Sequence, residues 1–90
     1  MAVYIVSYDL NSPGKDYTEL LRQIRSYTHC HALKSLFFIE TTKSASEVLD
    51  HLMRYIDGND SLYVTRLTGE WGANRHMACT NWLKDRNGRF

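Results

Sequence analysis

Asp9 is the residue of this chain best placed to do chemistry. It closes an eight-residue run, Val3 to Leu10, of β-branched, aromatic and apolar residues that reads as a central strand ending in the turn Asn11-Ser12-Pro13-Gly14. Alternation puts Tyr4, Val6, Tyr8 and Leu10 on one face and Val3, Ile5, Ser7 and Asp9 on the other. A carboxylate ending such a strand has two uses. Either it caps the amides of Asn11, Ser12 or Gly14 in the turn, or it meets a ligand.

The other candidates are more dispersed. His29, His31, His51 and His76 are general bases by type, but no sequence neighbour fixes a role, and surface or capping positions suit them as well. The chain has no Ser-His-Asp order and no glycine-rich phosphate loop, which argues against a hydrolase triad and against nucleotide binding of that kind. Arg22, Arg25, Lys34, Arg66 and Arg75 either form a phosphate-tracking surface or, for Arg22 and Arg25, the solvated side of a helix. Tyr4, Tyr8, Phe37, Phe38 and Tyr63 suit base stacking, but a core or a dimer seam claims half of any such set.

Ninety residues, 43% hydrophobic with 11 basic against 10 acidic side chains, describe one small globular domain. No apolar run approaches the ~20 residues of a membrane span. No signal peptide is visible, which points to the cytoplasm. Cys30 and Cys79 stand far apart and suggest no disulfide scaffold, so reduced thiols are expected; the spacing of Cys30 with His29 and His31 matches no zinc motif. A net charge of +1 lacks the basic excess of a duplex-gripping protein. After Glu70, however, Arg75, Lys84, Arg86 and Arg89 face only Asp85, a locally basic tail that suits either a nucleic-acid arm or plain solvation.

The elements that must position these groups follow in order. A helix from Lys15 or Asp16 carries Tyr17, Leu20, Leu21, Ile24 and Tyr27 on one stripe. Thr28 to His31 is a connector, followed by strands at about His31 to Lys34 and Leu36 to Thr42. Ser44 and Glu47 form a capping box for a helix through Val48, Leu52 and Ile56, which Gly58 ends. Ser61 to Leu67 is the last strand, and a short helix through Met77, Ala78, Trp82 and Leu83 follows in the tail. The order predicts an α+β fold, a ferredoxin-like βαββαβ sandwich over residues 1–70 with a C-terminal tail at 71–90. Both helices cover one sheet face. The apolar residues of the other require either a second copy or the tail, with Trp71 and Trp82, packed on the body or on a partner.

Tyr8-Asp9-Leu10 ending the first strand, Lys34 to Ile39 in the middle and Asp60 to Val64 opening the last, with two helices between, resemble the CRISPR-associated protein two family and the related virulence-associated protein D toxins. The likeness covers residues 2 to 70 and rests on order and spacing. It implies a ferredoxin-like homodimer associated with nucleic acid. In some members the strand-end aspartate, here Asp9, binds a divalent ion with its symmetry mate and cleaves RNA or DNA. Mg²⁺ or Mn²⁺ is then the implied cofactor, because magnesium retains waters and uses substrate phosphate beside few carboxylates. Other members are non-catalytic, architectural or regulatory dimers that bind nucleic acid or protein and join an integrase. The resemblance adds Ser35, at the bend between the second and third strands, and Phe37 as nucleic-acid contacts beside Arg22, Arg25 and Lys34.

Overall fold

The computed structural model describes residues 1–12 and 14–87; Pro13 of the expected turn and Arg89 of the basic tail lie outside the described residues. The order is β1 (Ala2–Asp9), α1 (Thr18–Arg25), β2 (Thr28–Leu33), β3 (Leu36–Thr41), α2 (Ala45–Met53), β4 (Ser61–Arg66) and α3 (Thr80–Lys84). The four strands form one sheet in the order β2-β3-β1-β4, with every neighbouring pair antiparallel. Each helix therefore crosses over one intervening strand, which is the ferredoxin-like arrangement expected from the sequence. β1 is central: it pairs Val6 with Phe37 on one side and with Val64 on the other.

Local chemistry explains where the elements begin. α2 starts as read from the sequence, because the Ser44 hydroxyl accepts the Glu47 N–H at 3.2 Å and the Glu47 carboxylate accepts the Ser44 N–H at 2.9 Å. α1 starts later than expected. The Asp16 carboxylate accepts both the N–H and the hydroxyl of Thr18, at 2.9 and 2.5 Å, so Asp16 caps from outside the helix. β2 begins at Thr28, where a connector was expected: Thr28 pairs with Glu40 and His29 with Ile39, pairings that no local sequence pattern announces.

Alternation along β1 divides the interior in two. Ala2, Tyr4 and Val6 join Phe37 and Ile39 under Leu20 and Ile24 of α1 and Val48 and Leu52 of α2. Val3 and Phe38 on the opposite face join Leu67, Cys79 and Leu83, with Trp71, Met77 and Trp82 packed around them. The chain's own tail thus covers that end of the second face. Arg86 fastens it further: its Nε donates to the buried Glu40 carboxylate at 3.2 Å, its Nη1 donates to the Trp82 carbonyl at 3.1 Å, and its guanidinium lies 3.7 Å from the centre of the Trp82 ring.

The expectation of reduced thiols is overturned. Cys30 of β2 and Cys79 just before α3 form a disulfide. Cys30 and Phe38 face each other across the β2–β3 ladder, so Cys30 lies on the tail-covered face. The 49-residue separation hid this pairing, because only the fold of the tail back onto the sheet brings the two together. Among the described residues, no helix is long and apolar enough to cross a membrane.

Candidate functional site at the open end of the sheet

The tail covers only part of its face. At the other end Asp9 pairs with Ser61, and Ser7 with Tyr63, across the β1–β4 ladder. Alternation turns these four side chains to the same side, and diagonal neighbours on such a ladder have Cα atoms about 7–8 Å apart. Asp9 and Ser61 are exposed, and Tyr63, one of the aromatic residues that a core or dimer seam could have claimed, is 62% exposed. A carboxylate, two hydroxyls and an aromatic ring therefore share an open surface. Tyr63 was among the rings suited to stacking; Leu62 and Val64 beside it pack inward, onto the helix-covered core, and alternation turns Tyr63 the other way.

Asp9 does not perform the capping role that its position in sequence allowed. The Asn11 N–H goes to Asp60, at 2.8 Å to Oδ1, and Asp9 offers this loop only its backbone carbonyl, 3.4 Å from the Asn11 side-chain amide. Asp60 also accepts the Tyr17 hydroxyl at 2.7 Å and the Asp57 N–H at 2.8 Å. Lys15 pairs with Asp57 beside it. Burial alone would raise the Asp60 pKa, but the hydrogen bonds from Asp57, Tyr17 and Asn11 outweigh it and hold the carboxyl below the usual range. Among the described residues, no hydrogen bond or ion pair engages the Asp9 carboxylate.

The other candidates gather at one edge nearby. The Tyr8 N–H donates to the Ser35 carbonyl at 3.1 Å and the Tyr8 hydroxyl to the Lys34 carbonyl at 3.0 Å, which ties the β2–β3 turn to the Asp9 end of β1. Lys34 and Ser35 are exposed there. Phe37 is fully buried and presents no face to a ligand. It is instead a platform: the His31 ring stacks on it at 4.0 Å and 7°, and the Arg25 guanidinium lies 5.7 Å from its centre. Arg22 sits apart on α1, exposed and paired with Glu19 at 3.3 Å. The structure thus brings Asp9, Lys34 and Ser35 to one end of the sheet, with Arg25 and His31 along its edge.

A metal requires more oxygen than one chain supplies. Among the described residues, no group of three or more His, Cys, Asp or Glu side chains could hold an ion. The exposed Asp9 carboxylate fits such a role only as one of several donors, the rest coming from a second copy, water and phosphate. Of the histidines, His51 is half-buried between the helices: its Nε2 faces Gln23 Oε1 at 2.9 Å and its Nδ1 the Tyr27 hydroxyl at 2.5 Å. Gln23 Nε2 in turn donates to Glu19 at 2.7 Å. This network joins α1 to α2 and lies away from Asp9, so its role is structural.

Comparison with known proteins agrees with this architecture. The family model described as CRISPR associated protein Cas2 matches residues 1–75, which include all four strands and both long helices. No solved structure matches the chain.

Proposed function

The chain belongs to the Cas2 family of CRISPR associated proteins, and from that premise we propose that it is a nucleic-acid-associated homodimer that cleaves phosphodiester bonds at Asp9. The observation that carries this reading is the division of labour between two carboxylates. Asp60 holds the turn after β1, and Asp9 is left exposed at the sheet end beside Tyr63. A carboxylate with no structural task at a surface that also offers a stacking ring suits a site for phosphate and base.

Asp9 and its copy in a second chain are the residues that would hold a divalent ion, Mg²⁺ or Mn²⁺. Such an ion supplies charge to a phosphate oxygen and acidity to a bound water. Tyr63 offers its ring to a base next to the reacting phosphate. Lys34, with Arg25 behind it, meets the backbone phosphates along the edge, and Ser35 adds a hydroxyl at the turn. The same reading locates the protein in the cytoplasm, with RNA or DNA as the substrate.

The deciding experiment incubates the full chain with single-stranded RNA, single-stranded DNA and duplex DNA, with Mg²⁺ or Mn²⁺, beside Asp9→Ala. Metal-dependent cleavage that falls to background in the variant is the expected result. Cleavage that survives the substitution removes Asp9 from the chemistry. Salt-sensitive binding without turnover would instead support the architectural reading, a non-catalytic dimer that presents nucleic acid to an integrase-type partner.

A further inference from the structure

The tail does more than cover the sheet. Between Trp71 and Lys84 it lines a half-open cavity of about 710 Å³, within the range of small-ligand sites. Trp71 and Met77 supply its apolar wall, and Arg75, His76, Asn81 and Lys84 its polar one. No carboxylate lines it: Glu70 and Asp85, beside it in sequence, are not on the wall. Among the described residues, neither Arg75 nor Lys84 forms an ion pair.

The walls are held in place from within and from below. Asn74 Oδ1 accepts the His76 N–H at 3.1 Å, and the Met77 N–H donates to the Asn74 carbonyl at 3.1 Å. The Thr80 hydroxyl lies 3.2 Å from the Asn74 carbonyl and 3.1 Å from that of Met77, which ties the turn to the start of α3. Underneath, Cys79 is bonded to Cys30 and Leu83 is buried against the sheet. Trp71 is itself half-buried on that cluster, so its ring is anchored while part of it remains open to the cavity.

We propose that this cavity is a nucleotide-binding subsite, in which one unpaired base of a nucleic-acid strand lies against Trp71 and its phosphate is held by Arg75 and Lys84. A large planar ring next to cations, with no competing acid, suits a ligand that is flat and apolar at one end and anionic at the other. Base stacking on an aromatic ring and phosphate capture by Arg and Lys are the sequence-independent means of holding single strands. The subsite is separate from Asp9 and shares with that reading only the class of ligand.

The test uses the full chain as the Trp82→Phe variant, which leaves Trp71 as the single tryptophan reporter and keeps a ring against Phe38 and Arg86. The probes are adenosine 5′-monophosphate and adenosine. Saturable quenching of Trp71 by the monophosphate is expected, at least fivefold weaker with adenosine and at least fivefold weaker in Arg75→Ala/Lys84→Ala. Adding Asp9→Ala should leave the titration unchanged. Absence of saturable quenching overturns the proposal, as does quenching that is indifferent to the two cations. Loss of quenching in Asp9→Ala also overturns it, by moving the nucleotide to the sheet end. Failure of cleavage at Asp9 has no bearing on any of these outcomes.

Discussion

The Asp60 carboxylate accepts the backbone N–H of Asn11 at 2.8 Å, across 49 residues of sequence, and thereby closes the turn that Asp9 begins. With Tyr17 and Asp57 as further donors, Asp60 joins β1, the approach to α1 and the α2–β4 loop. Asp60→Ala should therefore lower the melting temperature several times more than Asp9→Ala. The latter removes an exposed side chain and should shift melting by less than about 3 °C, as expected of an exposed substitution in a domain of this size. Thermal unfolding of the two variants at neutral pH checks the order. Equal losses would mean that Asp9 also has a structural task.

The same contact sets an acid limit. Asp57, hydrogen-bonded to Lys15, and Asp60 both ionise below the usual carboxylate range in the folded protein. A depressed folded pKa gives stability that is present above the unfolded value, about 3.9 for Asp, and is lost as pH falls through the folded value. Stability should drop on acidification below about pH 4, and Asp60→Asn should flatten that drop while lowering the neutral-pH plateau. Urea midpoints between pH 2.5 and 6 measure both effects.

Tyr63 gives the nucleic-acid reading a test that does not depend on turnover. Its ring is largely exposed on the face it shares with Asp9, so removing it costs little packing. Stacking of one base on an aromatic side chain contributes roughly 1–3 kcal/mol. Tyr63→Ala should weaken binding of a single-stranded oligonucleotide by about tenfold, and Tyr63→Phe should restore it. Fluorescence anisotropy at fixed low salt reads this directly. Unchanged affinity in Tyr63→Ala would remove the sheet end from the interface.

What the sequence disclosed and what it hid divide by distance along the chain. The Ser44–Glu47 capping box, the Leu20–Ile24 stripe and the two faces of β1 were legible, because propensity, capping and periodicity act over a few residues. So was the exposed carboxylate at Asp9 as a candidate. Hidden were the contacts that the topology creates: Asp60 on Asn11, Cys30 on Cys79, and Arg86 on Glu40. Phe37 shows the same limit from the other direction. An aromatic residue in an apolar strand could face either way, and only its cover of His31 and Arg25 reveals a support rather than a contact.

His51 makes the interface between α1 and α2 sensitive to mild acid. Burial, and then the charges of Lys43 and Arg54, hold its pKa below the ordinary value. The unfolded chain therefore takes up a proton near pH 6.5 that the folded chain resists, and stability falls as pH drops from that value toward the folded pKa. The ring reports on this directly through its bonds to Gln23 and Tyr27. Melting temperature should fall between pH 7.5 and 5.5, and His51→Asn should reduce that slope. A slope identical to that of the parent would remove His51 as the source of the dependence.

The Cys30–Cys79 disulfide ties β2 covalently to the tail. A disulfide that closes a loop of 49 residues removes unfolded-state entropy equivalent to about 4 kcal/mol in the chain-entropy model. Reduction leaves two thiols without a charge to bury, since Cys79 is enclosed by Val3, Phe38 and Leu83 and neutral thiols tolerate apolar surroundings. The tail should therefore stay docked after reduction, held by the Trp82–Phe38 contact and by Arg86 on Glu40, but on a less stable domain. Denaturant unfolding with and without a dithiol reductant, beside Cys30→Ala/Cys79→Ala, should show a loss approaching that figure in both cases. Far-ultraviolet circular dichroism in dilute buffer should remain that of the folded chain. If the reduced protein and the double variant instead unfold at the same denaturant concentration as the oxidised parent, the bond contributes nothing to stability. Docking of the tail would then rest on Leu83, Trp82 and Arg86 alone.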